Sequence, residues 1–179
     1  ARGLGNDYSA FIVFDITNFP YKAVAKYRNN EIKPMLFPSI IDDIGKAYNK
    51  AFILCEVNDI GDQVASILNY DLEYDNLLMC SQRGRAGQVV GAGFSGKRSQ
   101  LGVRTTQAVK KLGCSNLKTL LEDDKIIIIC LLYTSPSPRD LLEHNSFEAE
   151  EGCNDDLAMC LVIFAWLVAQ AVSYTHLRA

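Results

Sequence analysis

Ala51-Phe-Ile-Leu-Cys-Glu56-Val-Asn58-Asp-Ile-Gly61 is the stretch on which the fold turns. Five apolar residues in succession, from Ala51 to Cys55, mark a short strand buried on both faces, as in a sheet covered by helices. Glu56 stands at the carboxyl end of that run, and Asn58, Asp59 and Gly61 are turn formers. In open α/β sheets, ligands and catalytic groups collect at the carboxyl ends of the strands. A carboxylate there must be solvated, paired or bound to a metal. Taken alone, Glu56 is as well explained by a strand-end acid facing water as by a metal ligand.

Working outward, residues 10–17 and 21–28 alternate as two adjacent strands joined through Asn18-Phe19-Pro20. Pro38 opens a helix that runs to about Asn49, with Ile40, Ile41, Ile44 and Tyr48 on one face. After the Asn58–Gly61 turn a second helix extends to about Tyr70, with Val64, Ile67 and Leu68 inward. Leu77 to Cys80 is a strand, and residues 82–100 read as a Gly-rich basic loop. Two short helices follow, about 101–111 and 116–122, the second capped by Ser115. Lys125 to Ile129 is a strand, and Asn154 caps a last helix that is apolar on every side and hence belongs deep in the core. A hairpin followed by strands alternating with helices is an α/β pattern, a mixed sheet flanked by helices.

At 179 residues and 49% hydrophobic content the chain is long enough for one domain with a substantial core. The six cysteines include no CxxC pair, which favours buried reduced thiols over zinc or disulfides. Two histidines, His144 and His176, argue against histidine-based acid/base chemistry. The apolar run from Leu157 to Val172 is too short for a membrane span and directly follows two aspartates, so no membrane partner is expected. Two segments break the pattern, residues 131–140 (LLYTSPSPRD) and the tail 172–179 (VSYTHLRA). Both resemble peptides translated from sequencing-adapter DNA and are set aside from fold reasoning as a suspect insert and tail, the alternative being a genuine Pro-rich loop.

Charge is unevenly placed. Between Asp75 and Glu122 there is no acid, while Arg83, Arg85, Lys97, Arg98, Arg104, Lys110, Lys111 and Lys118 all fall there. A basic middle between acidic flanks suits one face for a polyanion and another that gathers carboxylates. Asp155 and Asp156 open the last helix, where acids also complement the helix dipole, and Asp7 sits in a Gly-rich turn before the first strand. If Glu56, Asp155, Asp156 and Asp7 converge, their mutual repulsion calls for a cation. Oxygen donors favour magnesium or manganese over zinc. Two such ions can activate water and stabilise the leaving oxygen of a phosphodiester, with the basic segment holding nucleic acid by its phosphates. Gly91-Ala-Gly-Phe-Ser-Gly96-Lys97-Arg98 approaches a phosphate-binding loop, but Arg98 occupies the Ser/Thr place and no apolar strand precedes it, so ATP hydrolysis is not supported.

Four motifs in order, Gly3-Leu-Gly-Asn-Asp7-Tyr8-Ser9, Ile53-Leu-Cys-Glu56-Val-Asn58-Asp-Ile-Gly61, Gly113-Cys-Ser-Asn-Leu-Lys118 and Glu148-Ala-Glu-Glu-Gly-Cys-Asn-Asp155-Asp156-Leu, resemble the nuclease domain of the large terminase subunit of myovirus-type tailed bacteriophages. The resemblance implies a ribonuclease H-like fold over one nuclease domain, residues 1–171. It further implies a metal-dependent endonuclease, with Mg2+ or Mn2+ in a two-metal site, that cleaves concatemeric viral double-stranded DNA during genome packaging in the host cytoplasm. Carried over by motif, Glu56 is the central metal-ligating acid, Asp155 the helix-borne ligand with Asp156 in support, and Asp7 an auxiliary acid. Arg83, Arg85, Lys97, Arg98, Arg104, Lys110 and Lys111 are the DNA-binding set. The family's first catalytic aspartate lies a little before the Gly-rich turn, ahead of Ala1, so the domain is expected to be truncated at its N-terminus and its activity reduced. In the intact parent the expected partners are an ATPase domain, the portal and the small terminase subunit. Asn154 stands where the family often has histidine, and the stretch after Ile129 departs from the usual continuation. Two other functions fit the same residues: a junction-resolvase-like nuclease of this fold, and a non-catalytic DNA-gripping or portal-docking module.

Overall fold

The computed structural model describes residues 8–81, 89–92, 99–128 and 156–170. Asp7, Asp155, the Asn154 cap, Arg83, Arg85, Lys97, Arg98, the 131–140 segment and the 172–179 tail lie outside the described residues.

The first two strands form as the alternation requires. β1 (Ser9–Asp15) pairs antiparallel with β2 (Tyr21–Asn29), in a register that sets Ala10 opposite Arg28 and carries a bulge at Val13/Phe14. Both faces of β1 carry aromatic load. Phe11 stacks on Tyr27 at 5.2 Å and on Phe37 at 6.1 Å, whereas Phe14 stacks on Phe164 at 3.7 Å. The order of the chain continues with α1 (Phe37–Ala47), α2 (Gly61–Ser66) and a π-helical turn over Ile67–Asp71. It goes on through β3 (Leu78–Ser81), β4 (Val89–Ala92), β5 (Ser99–Leu101), α3 (Gln107–Glu122), β6 (Ile126–Ile127) and α4 (Asp156–Val168). One sheet has the order β1-β2-β6, with β6 parallel to β2, and the other the order β4-β3-β5 with both neighbours antiparallel to β3. Parallel and antiparallel pairs flanked by helices make an α/β fold, as the alternation of elements predicts.

Several local expectations are corrected. The run Ala51–Glu56 is extended, yet among the described residues it makes only two parallel bridges, Ile53 with Leu77 and Glu56 with Val103. Its backbone hands over from one neighbour to the next: Ile53 bonds Asn76 and Leu78, then Cys55 and Val57 bond Val103. Phe52 is exposed and only Cys55 is buried within the run, so the strand is not covered on both faces. The basic loop holds two short strands, β4 and β5, because β3 offers pairing on both of its edges. In place of two helices after residue 100 there is one, α3. It is capped by the Thr106 hydroxyl, which accepts from the Val109 amide at 3.3 Å, and Ser115 lies within it. On α1 the buried residues are Phe37, Pro38, Asp42 and Gly45, and Tyr48 is exposed at its C-terminus, because the helix ends before the apolar stripe completes another turn.

The last helix is apolar on every side because it is enclosed on every side. Leu161, Val162, Phe164 and Ala165 pack with Tyr21, Cys114, Leu117 and Ile126, while Ile163 and Trp166 pack with Leu78, Cys80, Val103 and Val109. A further cluster, built on Phe37, Val57, Val64, Leu68, Leu77 and Met79, fills the space under α1 and α2. Among the described residues no helix is long and apolar enough to cross a membrane.

Candidate metal centre and its surroundings

Glu56 is delivered by a tight turn. The Gly61 amide donates to the Asn58 carbonyl at 3.0 Å, and Asp59 takes a positive φ of 52° to close the reversal. A Cβ on Gly61 would lie 1.8 Å from the Glu56 carbonyl oxygen, so only glycine fits the close approach. The side chain of Glu56 emerges exposed at this corner. Asn58 Nδ2 donates to Glu56 Oε1 at 3.2 Å and to the Thr105 carbonyl at 3.3 Å, which ties the carboxylate to the segment leading into α3.

Asp156 begins α4, half-buried, and its Oδ2 lies 4.0 Å from Arg28 Nε. One turn further along, Cys160 Sγ contacts the Ala10 carbonyl of β1 at 3.9 Å. Burial first, then the negative charges of Glu56 and Asp156, push the Cys160 thiol up to about 12. Two carboxylates a hundred residues apart in sequence therefore act on the same sulfur atom. Leu54 and Val103, beside Glu56, pack with Ile163 and Trp166 further along the same helix.

The described members of the basic set fall into two places. Arg104 is exposed and directly follows Val103, the residue bridged to Glu56, so its backbone runs beside the acid. Lys110 and Lys111 lie on α3, with Lys110 near enough to Cys114 to oppose the upward shift that burial gives that thiol. Lys118, further along, pairs with Glu122 at 3.7 Å on the exposed side of the helix.

Whether these residues suit a divalent ion turns on donor chemistry. Among the described residues no three His, Cys, Asp or Glu side chains gather as a ligand set; the charges of two carboxylates, Glu56 and Asp156, bear on one thiol. Glu56 Oε2 meets no described donor, and hard oxygen donors suit Mg2+ or Mn2+. The residues present fit a hard cation. Sequence reasoning passed over three neighbours of this centre, Arg28, Cys160 and the side chain of Asn58. Arg28 sits one residue from the end of β2, opposite Ala10, a pairing that the sequence alone does not display.

A family model, the terminase RNaseH-like domain, matches residues 1–171, and the chain belongs to that family, whose role in packaging is of the nuclease type.

Proposed function

We propose that this chain is the endonuclease domain of a myovirus-type large terminase subunit, which cuts concatemeric viral double-stranded DNA with Mg2+ or Mn2+ held by Glu56, Asp156 and Asp155. What supports the proposal is that Leu54 and Val103, beside Glu56, pack with Ile163 and Trp166 of the helix that Asp156 opens, and that the charges of both acids bear on the Cys160 thiol of that helix. Divalent ions at such a site supply an activated water and stabilise the leaving oxygen of a phosphodiester. The chain's own residues do the rest. Asn58 holds one oxygen of Glu56, leaving the other for the ion. Arg104, beside the acid, meets a DNA phosphate, and Lys110 and Lys111 extend that contact along α3. Asp7 is an auxiliary acid, and Arg83, Arg85, Lys97 and Arg98 complete the DNA-binding set. In the intact parent the partners are an ATPase domain, the portal and the small terminase subunit, and the setting is the host cytoplasm.

The test is relaxation and linearisation of supercoiled plasmid with Mg2+ or Mn2+. It uses the chain itself and a version extended upstream to include the acid that the family resemblance locates before Ala1. Cleavage by the extended protein, reduced about 100-fold or more by Glu56→Gln with plasmid retention in gel shifts unchanged, is the expected result; even outer-shell partners of a metal site are worth about 10–100-fold. Full cleavage by Glu56→Gln, or no cleavage by either protein, contradicts the proposal.

A further inference from the structure

Arg28 lies near the end of β2, across the ladder from Ala10, and Ala10 is the residue whose carbonyl meets the Cys160 thiol. The guanidinium carbon stands 3.8 Å from the centre of the Tyr8 ring, and Nε stands 4.0 Å from Asp156 Oδ2. Nε is buried and has no hydrogen-bond partner among the described residues. The separation is too long for a hydrogen bond and short enough for charge pairing. Exposures of 22% for Arg28 and 26% for Asp156 place the pair inside the surface, where salt screens it less than it would a pair in open water.

A guanidinium stacked on a ring has a fixed plane, which an ammonium on a flexible stem lacks. A cation fixed in this way fixes in turn the direction of the carboxylate it faces. We infer that Arg28, clamped on Tyr8, is a positioning residue for Asp156: it holds the orientation of that carboxylate at the start of α4. The inference rests on Glu56 and Asp156 being the ion-binding pair. Two effects of Arg28 on an ion are opposite in sign. As a competing cation it weakens ion binding, and its removal tightens it; as a positioning group it strengthens binding, and its removal loosens it. At 4.0 Å the guanidinium stands back from the carboxylate's inner contact distance, so it steers the oxygen rather than occupying it. Positioning prevails.

Mn2+ binding to the full chain by titration calorimetry, at a temperature below the onset of melting for each variant, separates the two. Arg28→Met is expected to lower affinity by about 10–100-fold, the range for lost outer-shell partners. Arg28→Lys, which keeps charge without the planar stack, falls between. Tyr8→Phe keeps the ring and binds as the parent does, whereas Tyr8→Leu matches Arg28→Lys. Binding by Arg28→Met as tight as the parent's, or tighter, overturns the inference. If Arg28→Met does not fold, equal affinities for Tyr8→Leu and Tyr8→Phe overturn it instead. Parent protein that binds no Mn2+, or Glu56→Gln that binds it normally, overturns the underlying ion site and the inference with it. Binding lost in Glu56→Gln but intact in Arg28→Met overturns the inference alone.

Discussion

Gly113→Ala sets two effects of known sign against each other. In a helix interior, alanine is favoured over glycine by about 0.8–1.0 kcal/mol, so propensity alone predicts a more stable protein. Gly113, however, faces α4 from within α3. A Cβ there would stand 2.5 Å from the Val162 carbonyl oxygen, 2.7 Å from Val162 Cγ1 and 3.2 Å from the Val162 carbonyl carbon. A new rotamer relieves the Cγ1 contact, but the other two atoms are backbone. Restoring even a 3.0 Å approach therefore drives the helices apart by about half an ångström, against a core packed like a crystal. With two rigid backbone atoms in the way, overpacking toward the upper end of the usual range of about 1–3 kcal/mol outweighs the propensity gain and leaves a net loss of up to about 2 kcal/mol. For a chain of this size that lowers Tm by up to about 8 °C. Ser115→Ala, two residues on and exposed, is the control; it carries the propensity change without the contact and is expected to be neutral or slightly stabilising. Thermal unfolding followed by circular dichroism checks both. A Gly113→Ala protein at least as stable as the parent refutes the close packing of α3 on α4.

Further outcomes follow from the same contacts. Gly61→Ala puts a Cβ 1.8 Å from the Glu56 carbonyl, so it should cost at least the 1–3 kcal/mol typical of overpacking, about as much as or more than Gly113→Ala, in urea unfolding; a smaller loss would show that the turn opens without strain. Hydrogen bonds from the Thr17 side chain and from its amide at 2.9 Å hold the Asp15 carboxyl below its ordinary 3.8, with Lys22 adding to the effect. Because the folded value is depressed, the associated stability is complete above 3.8 and is lost as pH falls through the lowered value. Carboxyl NMR titration should place the Asp15 midpoint below 3.8, and Thr17→Ala should raise it; an unmoved midpoint counts against the assignment. Burial pushes the Cys55 and Cys80 thiols up to about 12, so at pH 8.5 iodoacetamide should leave both unmodified in the folded chain and label both in urea, as read by peptide mass. Rapid labelling of either in the folded state contradicts its burial.

Long-range order was legible where periodicity was strong. The β1–β2 hairpin followed from alternation around Asn18–Pro20, and the last helix from an apolar run with acids at its start. Val64 and Leu68 point inward as their spacing requires. Reading failed where tertiary pairing overrides local pattern. The two helices expected at about 101–111 and 116–122, the second capped by Ser115, are one helix, which runs through Gly113 where α4 makes its close approach. Gly102, at a φ of 87° and with the Cys55 carbonyl 2.2 Å from where a Cβ would be, belongs to a bridge rather than a helix, because only a bare backbone fits against the Cys55 strand. The basic segment looked aperiodic since β4 and β5 are held by pairing with β3, a contact invisible to a local window. At the candidate centre, Glu56 and Asp156 were legible as acids at element ends. Arg28, Asn58 and Cys160 were not, for their roles depend on which residues face them across the fold.

Crystals of the chain soaked in Mn2+ and measured at the manganese absorption edge test the central claim most directly. An anomalous peak within ligand distance of carboxylate oxygens from both Glu56 and Asp156, on the Cys160 side of the turn, is the predicted result. A fully occupied manganese elsewhere, or one bound to either acid with the other turned away, would contradict it.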